Sequence, residues 1–148
     1  MVSKDPGLFP ELIAGLWSDD PLVRMRAADA AEKFTRADHK FLQPYKKDLL
    51  GLMAETRQQE LRWHLAAMIP RLELNARERQ RAVSLMHSYL EDRSSIVKTS
   101  ALEGLADLAQ HDSSLLPTVI DLLRESVRKG TPAMRARSRK LLGQLEGE

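Results

Sequence analysis

The sequence predicts an all-α fold, an α-α superhelix or solenoid of four antiparallel helix pairs in a single domain spanning residues 1–148. Three observations lead there. The composition favours helix: aromatics are only 5%, Gly and Pro number seven each, and Leu, Ala, Arg and Glu, all strong helix formers, are frequent. One amphipathic segment, "DDPLVRMRAADAAEKF" at 19–34, returns as "QELRWHLAAMIPRL", "SSIVKTSALEGLADL" and "GTPAMRARSRKLLGQL". Proline and capping residues recur at matching offsets within these copies.

Aligning Val23, Leu61, Val97 and Met134 gives spacings of 38, 36 and 37 residues, a fixed period that marks stacked repeats. Further columns hold Ala27, Leu65, Ala101 and Ser138; Ala31, Ile69, Leu105 and Leu142; and Phe34, Leu72, Leu108 and Leu145. These offsets of 0, 4, 8 and 11 trace one stripe of a 3.6-residue helix. A first helix precedes each second one, in "FPELIAGLW", "QPYKKDLLGLM", "RAVSLMHSYL" and "LPTVIDLLRE".

The predicted helices run roughly over 8–18, 20–37, 44–54, 57–73, 76–92, 95–110, 114–128 and 132–146, pairing as 8–37, 44–73, 76–110 and 114–146. Pro10, Pro44 and Pro117 sit early in first helices, where a missing N–H costs least. Asp20-Pro21 and Thr131-Pro132 open second helices, and Asn75 with Glu78 reads as a capping box. Thr56 and Asp112 are further cap candidates. Pro70 should kink or end the second helix of pair two. "FTRADHKF" at 34–41 reads as a long connector.

The segment "DPLVRMRAADAAEKF", following an "L-x-P-x-x-x-x-L-L" type of helix, resembles the HEAT repeat. Asp20, Pro21, Val23, Arg24, Ala27 and Ala28 match that pattern, and Val97, Lys98, Ala101 and Leu105 match next best. The resemblance implies second helices lining a concave face, a role as a protein-binding scaffold, and a basic column that ties adjacent turns together. That column is Arg24, Arg62, Lys98 and Arg135. A likeness to the DNA alkylation repeat glycosylases, which cradle duplex DNA, supplies the alternative reading; the HEAT-like bilin lyases supply a third.

The face opposite the apolar stripe carries Met25, Trp63, Thr99 and Ala136, then Ala28, Ala66, Leu102 and Arg139, then Asp29, Ala67, Glu103 and Lys140. Trp63, Met25 and Leu102 are the candidate anchors for a partner, with Arg26, His64 and Arg137 on the rim. The plainer reading of Trp63 is a packing residue between neighbouring repeats. Charge separates the halves: residues 1–74 are neutral, whereas residues 124–145 hold seven basic side chains against Glu125 alone. Arg135, Arg139 and Lys140 are therefore candidate phosphate contacts, or else the polar face of a terminal repeat.

With no cysteine, disulfides, thiolate metal sites and a cysteine nucleophile are excluded. No HExxH, His-Glu dipeptide, glycine-rich phosphate loop or G-x-S-x-G is present, so the sequence predicts no metal, no cofactor and no enzyme. The opening "MVSKDPGLFP" lacks an apolar core for a leader, and no apolar run approaches a membrane span. The expected setting is the cytoplasm, and the expected partner is another protein, with nucleic acid as the alternative.

Overall fold

The computed structural model describes residues 6–147; residues 1–5, on which part of the leader reading falls, and residue 148 lie outside the described residues. Every regular element among the described residues is helical. The chain divides into two compact units, Met1–Glu73 and Leu74–Glu148.

In the first unit, α1 (Phe9–Ala14) tightens into a 3-10 turn at Gly15–Trp17, and α2 (Pro21–Thr35) follows. A 3-10 segment, His39–Tyr45, leads into α3 (Lys46–Glu55) and α4 (Gln59–Met68), which ends in a 3-10 turn at Ile69–Arg71. α1 packs on α2, α3 packs on α4, and α2 lies beside α4. Ala28, Ala31 and Ala66 are fully buried, and side chains this short let two helices approach closely. Phe9, Leu16, Leu49, Leu50, Met53 and Leu65 fill the rest of the core.

In the second unit, α5 (Ala76–Tyr89) packs on α6 (Ser95–His111). After a 3-10 turn at Ser113–Leu115, α7 (Leu116–Lys129) packs on α8 (Pro132–Glu146), and α8 lies beside α6. Met86, Tyr89, Val97, Ala101, Leu105, Val119, Leu123 and Leu141 form its core.

The start signals act as their chemistry dictates. The Asp20 carboxylate accepts from the Leu22 N–H at 2.9 Å, and Thr131 Oγ1 accepts from the Met134 N–H at 3.3 Å. Asn75 and Glu78 form the reciprocal capping box. Asp112 accepts from the backbone N–H and hydroxyl of Ser114, and these bonds hold its carboxyl below the usual carboxylate range. Pro70 ends α4, as its missing N–H requires.

Four expectations need correction. Pro44 lies inside a 3-10 segment, and the third helix starts two residues later, at Lys46. The stretch read as a connector is partly helical and pinned by rings: Phe9 packs on Phe34, Phe41 and Tyr45 with centroids 5.4, 5.7 and 6.1 Å apart. Thr56 closes α3 rather than opening α4. Gln58 holds the N-cap position of α4, the same column as Asp20 and Thr131, but its amide is occupied elsewhere. Last, Val23 is 42% exposed although Leu61 and Val97 in its column are buried, because a column fixes residue type and not what lies against it.

Two buried hydroxyls in the second unit, Ser126 Oγ and Ser138 Oγ, have no hydrogen-bond partner among the described residues. Ser138 is fully buried in a column otherwise filled by Ala27, Leu65 and Ala101. A buried unpaired hydroxyl costs about 1–3 kcal/mol. Ser138→Ala should therefore raise stability by about 1 kcal/mol in a urea melt, and a loss would show that the hydroxyl is in use.

Candidate functional site

The α2–α4 layer of the first unit carries most of the sequence-predicted surface. Around α4, Leu61, Leu65 and Met68 point to the core, while Trp63 and Ala67 take the opposite side and stay half-buried. The Trp63 indole leans on the His64 ring, centroids 5.7 Å apart. Met25 holds the matching position on α2, half-buried, and Arg26 beside it is exposed with no hydrogen bond or ion pair among the described residues.

His64 is not a rim residue. Its side chain is 11% exposed, Nδ1 sits 2.7 Å from the Glu60 carbonyl oxygen, and Nε2 faces Asp29 of α2 at 3.4 Å. With Nδ1 donating, the ring spans the seam between α4 and α2. Lys33, bonded to Asp29 at 3.0 Å, together with His64 holds the Asp29 carboxyl below its ordinary value.

The second unit repeats this rung with different chemistry. Arg137 of α8, expected on the rim, meets Glu103 of α6 at 3.5 Å. Asp29 and Glu103 share one column, and His64 and Arg137 share another, so an acid on one second helix faces a base on the next. Leu102 is 2% exposed and unavailable as an anchor. It sits opposite the Val97 stripe, but α6 is flanked by α5, α7 and α8, which leave little of its circumference open.

The basic column is divided. Arg24 donates from Nη1 to the Ser18 carbonyl at 2.7 Å and from Nε to Gln58 Oε1 at 2.7 Å. Arg62 donates from Nε to the Thr56 carbonyl at 3.0 Å, the same six-residue step back. Gln58 returns a bond to the Pro21 carbonyl at 2.9 Å, which is why it bridges α2 and α4 instead of capping. Among the described residues, Lys98 and Arg135 make no such contact. Of the C-terminal charges, Arg124 pairs with Glu146 and Lys129 lies 3.8 Å from Glu125, whereas Arg128, Arg139 and Lys140 are exposed and have no ion-pair partner among the described residues.

Sequence reasoning missed the most connected polar group. Glu32 of α2, 6% exposed, accepts two bonds from Arg36 at 2.8 and 2.7 Å and one from Arg71 at 2.5 Å. Arg71 also donates to the Glu32 carbonyl and to Thr35 Oγ1, at 2.7 and 2.9 Å. Burial pushes the Glu32 carboxyl up, but the two guanidinium groups outweigh it and bring the pKa down to about 2. The available signal was an acid nine positions past Val23 answered by a base ten past Leu61.

No group of His, Asp and Glu side chains among the described residues is arranged to hold a metal ion. No helix among them is long and apolar enough to cross a membrane. No family model, no curated protein and no solved structure matches this chain.

Proposed function

We propose that this protein is a non-catalytic interaction scaffold that binds another protein on the surface formed by its second helices. The even spacing of the repeat along the whole chain supports reading the four pairs as one HEAT-like solenoid. One observation carries the functional reading: Trp63 keeps part of its surface open on the outward side of α4, although the following Leu65 and Ala66 are buried. An indole held at a surface by a fixed neighbour loses little entropy when a partner covers it. Met25 on α2 completes the patch, and Arg137 in the second unit is committed to Glu103.

The test is a photo-crosslinking residue in place of Trp63, expressed in the source cells, with the same residue in place of exposed Ser84 as control. A recurrent protein adduct from position 63 and none from 84 is expected. Trp63→Ala should lower the melting temperature by only a few degrees, because a side chain that anchors the core would cost about 3–5 kcal/mol. A loss on that scale would make Trp63 a packing residue and sink the anchor.

Arg128, Arg139 and Lys140, exposed and unpaired among the described residues, support nucleic-acid binding as the second reading. Anisotropy of a labelled DNA duplex at two salt concentrations separates the two. Affinity that falls steeply with salt would favour phosphate contacts, and no binding would leave the protein partner.

A further inference from the structure

We propose that the open flank of α2 docks an amphipathic helix of a protein partner, held by an acidic side chain set against Arg26. This surface is separate from the Trp63 patch. It follows from comparing the same flank on successive second helices. On α4, Leu61 and His64 share the flank that meets α2; Leu61 is 1% exposed and His64 faces Asp29. On α8, Met134 and Arg137 hold these positions toward α6, and Arg137 faces Glu103. On α2 the same positions are Val23 and Arg26. Here no second helix lies against them: Val23 is 42% exposed, and Arg26 is exposed without a polar partner among the described residues.

The surroundings extend the patch. Leu22 is 45% exposed and Trp17, closing the turn before α2, is 44% exposed, so three large apolar side chains stand open to solvent within seven residues of sequence. Such a group beside an unpaired cation matches a helix with an apolar stripe and one acid on its edge, the chemistry α2 and α6 themselves offer through Asp29 and Glu103.

Charge also decides against a second copy stacked head to tail. The position on α8 equivalent to Asp29 and Glu103 is Lys140, exposed and unpaired among the described residues. A copy arriving by its C-terminal helix would set Lys140 against Arg26, and like charges opposed at a contact disfavour it. The occupant is therefore a different protein.

The probe is a fluorescein-labelled peptide of residues 94–111, helix-stapled on its exposed face, which carries Glu103 in the required column. Titrated with the full chain, it should bind with a Kd of about 10–100 μM. Arg26→Glu should weaken it at least about 10-fold, and a Glu103→Lys peptide should behave in reverse, losing wild type and regaining Arg26→Glu. Val23→Asp, at an exposed position, should abolish binding while circular dichroism stays unchanged. Binding indifferent to the charge swap, or none at about 1 mM, would overturn the proposal. So would a concentration-dependent dimer of the full chain that Arg26→Glu dissolves, which would assign the flank to a second copy.

Discussion

Glu32→Gln should destabilise the first unit by about 3–5 kcal/mol, the cost of leaving a buried charge without its partner. The substitution preserves shape and removes only charge. Arg36 is 63% exposed and turns to water, but Arg71 is 14% exposed and stays buried with its positive charge uncompensated. The guanidinium ties the turn after α4 to the last turn of α2, so the loss falls on the α2–α4 seam. Both tryptophans, Trp17 and Trp63, belong to the first unit, and fluorescence-detected urea melts read that unit directly.

The same carboxylate sets an acid limit. Its pKa falls from 4.5 to about 2 on folding, so the ionised form is favoured in the folded state. That contribution, about 3 kcal/mol, is complete above pH 4.5 and is lost as the pH drops toward 2. The stability gap between wild type and Glu32→Gln should accordingly narrow across that interval. A gap that stays constant down to pH 2 would mean the carboxylate is not held by the two arginines. A Glu32→Leu, Arg71→Met double variant should recover most of the loss, since removing both charges leaves none stranded.

How much of this was legible depends on whether a feature is local or spans helices. Asp20, Asn75 and Thr131 announced their helix starts because a cap bonds within three residues. The Val23 column identified second helices because periodicity is a property of one segment. What lies against a segment is not. Val23 and Leu61 are alike in sequence and opposite in exposure, and Leu102 lost its predicted role to neighbours on three sides. The C-terminal charge excess was overcounted for the same reason. Glu103 and Glu146 fall outside the 124–145 window, yet they pair with Arg137 and Arg124. Glu32 went unread because an acid inside an otherwise apolar face looks like an interruption until Arg71 is placed beside it.

Gly130→Ala should cost the second unit about 2–3 kcal/mol, against the usual expectation for that change. Replacing a glycine by alanine ordinarily stabilises by about 0.4–1 kcal/mol, through the entropy of the unfolded chain. Gly130 has φ of −77°, which any residue adopts, so backbone strain does not oppose alanine here. Space does. A Cβ at this position would lie 2.6 Å from the Ser126 carbonyl oxygen and 2.9 Å from Met134 Cβ. Neither atom is the free end of a flexible chain: one is helix backbone in α7, the other is fixed on α8. The chain turns between those helices in two residues, and the Gly130 N–H donates to that same Ser126 carbonyl at 2.8 Å. Relief of the clash must move α8 away from α7. That movement would also pull Thr131 from Ser95, 2.6 Å away, and Arg137 from Glu103. Hydrogen exchange should therefore quicken at the first turn of α8 as well as at the last turn of α7. Unchanged exchange with a gain in stability would show that α8 is not held by this contact.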